Sequence, residues 1–201
     1  MVKRKSPERE QEILVAALRV LRCHGVSGTS TAKIAAQANC SKETIYNWFG
    51  DREGLFAALI IAQSMTFLQV MERIVARGQS IREKLVLYSG SLLDMLTGEA
   101  NSLIMQLTIG QYRQPQIQTA MGERNERITV LGTDLLIEAR AQGLLNFTDT
   151  EEVYSTFYGL VVGSRQMKAI SDFSDVRPSG EEIQKIAEIA VNRLFLIYRS
   201  N

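Results

Sequence analysis

Proline occurs at only three positions, Pro7, Pro115 and Pro178. Around them the apolar residues recur at i, i+3, i+4 and i+7 rather than in alternation. Only a helix has a period that places such residues on one face. The boundaries carry matching signals. Ser6-Pro7-Glu8 supplies a cap residue, a proline at the first helical position and an early acid. Three Ser/Thr-x-x-Glu boxes, Ser80…Glu83, Thr148…Glu151 and Ser179…Glu182, mark later starts. The expected fold is all-α, with about nine helices.

The pattern divides the chain by helix length. The first helix carries Ile13, Ala17, Val20 and Leu21 and stops at Gly25. A second follows Gly28-Thr29-Ser30 with Ile34, Ala35 and Ala38 on one side, and a third runs through Trp48. Gly50-Asp51 breaks and recaps the chain, and a long helix is expected over residues 52–76. Pro115 opens another helix that closes near Gly143, and a single segment is expected over residues 148–172. The expected domains are therefore a three-helix unit over 1–51 and a bundle of about six helices over 52–201.

With 45% hydrophobic residues the chain can bury a sizeable core. Its net charge is +1, but residues 1–60 hold 9 Lys/Arg against 6 Asp/Glu. That mild basic bias is compatible with a nucleic-acid partner. Cys23 and Cys40 make no disulfide framework. Residues 1–10 lack the apolar core of a signal peptide. No apolar run is expected to reach the ~18–20 residues that cross a bilayer. The expectation is a cytoplasmic chain with no membrane partner.

Two short helices joined by a tight turn form the helix-turn-helix arrangement, whose second helix presents its N-terminal residues to the major groove. In Ser41-Lys42-Glu43-Thr44-Ile45-Tyr46-Asn47-Trp48-Phe49, Ile45, Trp48 and Phe49 share one face and should point inward with Cys40. Lys42, Glu43, Tyr46 and Asn47 fall opposite, Thr44 flanks them, and Ser41 is the N-cap. The outer face thus holds groups that meet phosphates and base edges, at a helix N-terminus whose free N–H groups also suit phosphate.

The run Arg9…Ile13-Leu14-x-Ala16-Ala17…Gly25…Thr29-Ser30-Thr31-x-x-Ile34-Ala35…Cys40-Ser41-Lys42-Glu43-Thr44-Ile45-Tyr46-Asn47-Trp48-Phe49-x-Asp51-Arg52-Glu53-x-Leu55-Phe56 resembles the DNA-binding domain of the TetR/AcrR family of bacterial transcriptional regulators. The segments Ala141-Gln142-Gly143-Leu144-Leu145 and Phe157-Tyr158-Gly159-Leu160 resemble the AefR-like subgroup. The resemblance implies that Thr31, Tyr46 and Arg52 grip the DNA backbone. It implies that Lys42, Thr44 and Asn47 face base edges, with Asn47 suited to adenine and Lys42 to guanine. Asn39 stands where the family often has glycine, and asparagine tolerates a left-handed conformation. Cys40 replaces a usual valine and Arg52 a frequent lysine. Glu43 departs from a commonly small residue; it can accept from cytosine N4 or simply favour the first helical turn. Lys3-Arg4-Lys5 is either a basic arm along DNA or a frayed terminus.

The resemblance further implies a homodimer on double-stranded DNA with a palindromic operator, and a small apolar or amphipathic ligand held in residues 52–201. Dimer contacts are expected from Val153, Phe157, Leu160, Gly163, Ile186, Ile189, Ala190, Leu194 and Phe195; sealing of the monomer core is the other reading of the same stripes. Two-fold symmetry would set the recognition helices about 34–36 Å apart. Candidate pocket residues are Met65, Phe67, Met71, Tyr88, Met95, Met105, Tyr112, Tyr154, Tyr158 and Met167, since Met and Tyr suit adaptable apolar cavities as well as plain core. The expected mechanism is a repressor released when ligand favours a second conformation, with the long helix after Asp51 joining both domains. A DNA-bound scaffold acting through a protein partner is the alternative.

No cofactor, metal or catalytic site is expected. His24 is the lone histidine and sits at a helix end, where a basic group is favourable. Cys23, His24 and Cys40 lack zinc-ligand spacing, and no phosphate-loop, dinucleotide or nucleophile-elbow motif is present.

Overall fold

The computed structural model describes residues 6–75, 78–171 and 177–199. Among these residues it has ten helices: α1 Pro7–Gly28, α2 Thr31–Gln37, α3 Lys42–Phe49, α4 Arg52–Val75, α5 Ile81–Thr97, α6 Glu99–Gly110, α7 Pro115–Ala141, α8 Thr150–Val162, α9 Arg165–Ser171 and α10 Gly180–Ile197. The segment expected over 148–172 is broken at Gly163, whose φ of 49° with ψ of −130° is a conformation open to glycine and disfavoured for residues with a Cβ. Its start also differs. Asp149, not Thr148, is the cap, accepting from the backbone N–H groups of Glu151 and Glu152. The boxes at Ser80–Glu83 and Ser179–Glu182 form in both directions. Hydrogen bonds from the Ser80 hydroxyl and backbone hold the Glu83 carboxyl below its ordinary range; the Ser179 backbone and hydroxyl do the same to Glu182.

By packing, the chain forms two compact units, one of residues 1–63 with 100–124 and the other of 64–99 with 125–201. The expected division is at residue 51; by packing, helices α4 and α7 each supply residues to both units. In the first unit the stripe of α1 (Ile13, Ala17, Val20, Leu21) meets Ile34, Ala35 and Ile45 of α2 and α3. Leu55, Phe56 and Ile60 of α4, with Ile104, Leu107 and Ile117, complete this core. The helical path of α1 is interrupted at Gly25, with φ 64°, where the stripe ends. In the second unit α10 packs on α5 and α8. Its core holds Phe67, Met71, Leu85, Tyr88, Leu136, Phe157 and Leu194.

One correction concerns hydropathy. The 52–74 segment of α4 is long and apolar enough, by length and composition, to cross a membrane. Leu55, Phe56 and Ile60 of this segment are buried in one core and Phe67, Met71 and Ile74 in the other, while Met65 and Val70 are exposed.

Candidate nucleic-acid interface

The turn before α3 is built by asparagine. Asn39 has φ 49°, the one positive φ outside glycine among the described residues. The Cys40 N–H reaches Ala35 O at 2.9 Å and the Asn39 N–H reaches Ala36 O at 3.3 Å. This is a Schellman end, in which a left-handed residue lets the chain reverse over its own last carbonyls. Cys40 is half-buried; burial pushes its thiol up, partly offset by the Arg9 guanidinium. Ser41 then caps α3, its Oγ accepting the Thr44 N–H at 3.0 Å and lying 2.9 Å from Thr44 Oγ1.

Side chains of α3 are distributed by a turn of about 100° per residue, which separates Ile45 from Tyr46. Ile45 is 0% exposed and Tyr46 47%. Trp48 and Phe49 pack half-buried on the same core as Ile45. Ser41, Lys42, Glu43 and Asn47 are exposed and Thr44 is half-buried. The Tyr46 hydroxyl lies 3.4 Å from Thr31 Oγ1 at the start of α2. Two hydroxyls from two helices thereby meet beside the exposed N-terminus of α3, a pairing that spacing along α3 could not show.

Arg52 is placed differently from the other candidates. Its Nη2 donates to Val26 O at 2.9 Å, and its guanidinium lies 4.7 Å over the Phe56 ring. Its Nη1 is 3.7 Å from Glu53, and its Nε is buried with no acceptor. Three further residues shape the site without having been expected to. Arg9 donates to the carbonyls of Ala38 and Asn39. Gly54 approaches Phe49 O so closely that a Cβ would lie 2.0 Å from it. Gln116 donates to Asp51 Oδ2 at 3.2 Å, while Asp51 Oδ1 accepts the Gly54 N–H. A glycine in a helix's first turn was the available signal for Gly54. Arg9 and Gln116 gave none, because their partners lie 29 to 65 residues away. Lys3, Arg4 and Lys5 lie outside the described residues.

The pocket candidates are divided between the two units. Phe67, Met71 and Tyr88 are buried in the second core, with Met95, Tyr154 and Tyr158 packed against it. The Tyr88 hydroxyl donates to Ile128 O at 3.0 Å and lies 3.1 Å from the Tyr154 hydroxyl; burial first, then Tyr154, pushes this phenol well up. Met105 and Tyr112 belong to the first unit, and Met65, Tyr112 and Met167 are exposed. Of the expected dimer residues, Val153, Phe157, Ala190 and Leu194 are buried in the core of the second unit. The stripe of an amphipathic helix fixes a face but not what covers it, and here the core covers these four. Ile189 and Gly163 are exposed and Leu160, Ile186 and Phe195 half-buried. Leu196 and Ile197, not anticipated, are 72% and 58% exposed.

A buried face, a Schellman turn and an exposed polar face with paired hydroxyls define a helix-turn-helix DNA-binding protein. Residues 13–59 match the family described as bacterial regulatory proteins, tetR family. Residues 83–200 match the AefR-like transcriptional repressor C-terminal domain. The chain belongs to the tetR family of bacterial transcriptional regulators. It is similar to a TetR transcriptional regulator from Agrobacterium tumefaciens, with 31% identity, TM-score 0.77 and coverage of 98% of this chain and 97% of that one. It is 30% identical over 111 residues to a fatty acid metabolism regulator protein of Bacillus subtilis, a match spanning 55% of this chain and 57% of that protein. It also shares its fold with the regulator FadR from Bacillus subtilis in complex with stearoyl-CoA (20% identity, TM-score 0.74, coverage 92% and 97%).

Proposed function

We propose that this chain is a dimeric repressor that reads a palindromic operator with α3 of each protomer and is released by a long-chain acyl thioester. The observation that carries the DNA reading is the split of α3 between buried Ile45 and exposed Lys42, Glu43, Tyr46 and Asn47. In this reading Thr31 and Tyr46 share a phosphate through their hydroxyls. Ser41 and Thr44 line the N-terminus of α3, and Lys42 and Asn47 meet base edges. Arg52 serves mainly to brace the end of α1. Residues 1–51 act on DNA and 52–201 bind ligand and partner.

The dimer reading is supported by exposed Ile189, Leu196 and Ile197 on α10, apolar groups that a second copy would cover. The ligand class is supported by the stearoyl-CoA in the FadR complex and by the fatty acid metabolism relative. A thioester of that kind would oppose DNA binding by favouring one of two conformations. The test uses a duplex selected by the protein from a random pool, titrated in gel shift with and without stearoyl-CoA, with sedimentation to give the stoichiometry. Two protomers per duplex and release by the thioester are expected. Failure to enrich any sequence sinks the DNA reading. Enrichment with no release or thermal stabilisation by stearoyl-CoA sinks the ligand reading alone and favours a scaffold acting through a protein partner.

A further inference from the structure

We propose that Arg9 is a positioning residue for the recognition helix, setting α3 by holding the left-handed turn at Asn39 rather than by touching DNA. Arg9 lies in the first turn of α1, where its own N–H donates to the Ser6 cap, so its side chain starts from a fixed point. Its Nη2 donates to Ala38 O at 2.7 Å and to Asn39 O at 3.0 Å. Its Nη1 is ion-paired with Glu12, which leaves the guanidinium committed on both sides.

The two carbonyls it takes belong to the residues that reverse the chain. The Schellman bonds satisfy Ala35 and Ala36; Ala38 and Asn39 lie beyond them, and Arg9 supplies their donor. Asparagine tolerates a left-handed φ less readily than glycine does, so an added tie is of most use where Asn39 stands. From Asn39 the chain reaches the Ser41 cap in two residues, so the direction of α3 follows the turn. A single guanidinium bonded to successive carbonyls resists rotation of the peptide between them, which one bond would not. The same guanidinium lies near Cys40 and pulls its thiol down against burial, which places its charge at the turn.

The test uses the full-length protein and a duplex selected by it from a random pool. Arg9→Met is expected to lower affinity for that duplex about tenfold, the scale of one charge-assisted hydrogen bond, with the slope of log K against log salt unchanged. Backbone amides of residues 38–44 should exchange faster in the free variant, a readout independent of DNA. Adding Asn39→Gly, which adopts the turn without strain, should restore most of the affinity. If Arg9→Met melts without cooperativity, Arg9→Gln, which keeps one donor, is put through the same measurements with a smaller loss expected. A slope reduced by about one would mean that Arg9 contacts phosphate and would overturn the proposal. So would unchanged affinity and exchange, or a loss that Asn39→Gly does not repair.

Discussion

Replacing Gly54 by alanine sets helix propensity against packing, and the two predict opposite signs. Alanine in a helix is favoured over glycine by about 1 kcal/mol. The added Cβ, however, would lie 2.0 Å from Phe49 O and 3.2 Å from Phe49 C, where carbon contacts are comfortable only from about 3.5 Å. Both atoms are backbone, so no rotamer relieves the clash, and overpacking of this kind costs up to about 3 kcal/mol. Opening the contact also stretches the 2.6 Å bond from the Gly54 N–H to Asp51, a cap worth about 1 kcal/mol. The net expectation is a destabilisation of about 3 kcal/mol. Gly122→Ala is the control, since that glycine lies in α7 with nothing within 4 Å of its Cβ position; there propensity acts alone and about 1 kcal/mol of stabilisation is expected. Urea unfolding followed by the fluorescence of Trp48, the single tryptophan, reads both. A Gly54→Ala protein as stable as wild type, or more so, would refute the reasoning, because it would mean that the α3–α4 junction yields.

Ile45→Ala and Tyr46→Ala change neighbouring residues with opposite expected effects. The first should cost about 2–4 kcal/mol by urea unfolding, with the residue fully buried; the second should leave unfolding within about 0.5 kcal/mol yet weaken gel-shift binding to every duplex. Lys42→Ala should cost about 1–3 kcal/mol of DNA affinity and relax preference at one base position of the selected duplex, whereas Arg52→Ala should lower stability with base preference and salt slope kept. Gly132→Ala should destabilise by about 1–3 kcal/mol in thermal melts, because its Cβ would lie 2.6 Å from the Tyr88 hydroxyl and 2.5 Å from Tyr154 Cε2. In the alkaline range the folded protein keeps the Tyr88 proton after the unfolded chain, whose phenol titrates at about 10, has lost it. Stability should therefore fall as pH rises above about 10, and less steeply in Tyr88→Phe.

The two faces of α3 were legible because a period of 3.6 separates neighbours without reference to the rest of the chain. So were the stop at Gly25 and the tolerance of Asn39 for its turn, since both depend on one residue's own φ. What the spacing could not carry is contact at long range. It put Val153, Phe157, Ala190 and Leu194 on the right stripes but left open whether core or partner covers them. It could not show that residues 100–124 pack with the first three helices, because nothing local distinguishes one apolar stripe from another. The break at Gly163 was missed because an isolated glycine within a helical pattern is tolerated more often than it interrupts.

Arg52 shows how a residue type matched by resemblance can be redirected by its surroundings. A lysine at that position would carry a free ammonium on a flexible stem, suited to a phosphate. The planar guanidinium instead stacks on Phe56 and spans to Val26 O, two contacts that its rigid fork makes at once. Turning it toward DNA would give up the stacking, worth about 0.5–2 kcal/mol, and leave the Val26 carbonyl without that donor. An exposed phosphate contact returns little more than that in salt. Lys33 is committed in the same way, its Nζ donating to Gly28 O, and Arg9 to Ala38 and Asn39. Lys42 has no such bond among the described residues and stands exposed at the start of α3. The cations around the turn therefore fall into two groups. Arg9, Lys33 and Arg52 are held on backbone carbonyls, and in the proposed DNA reading Lys42, at the start of α3, is the cation left to meet the duplex.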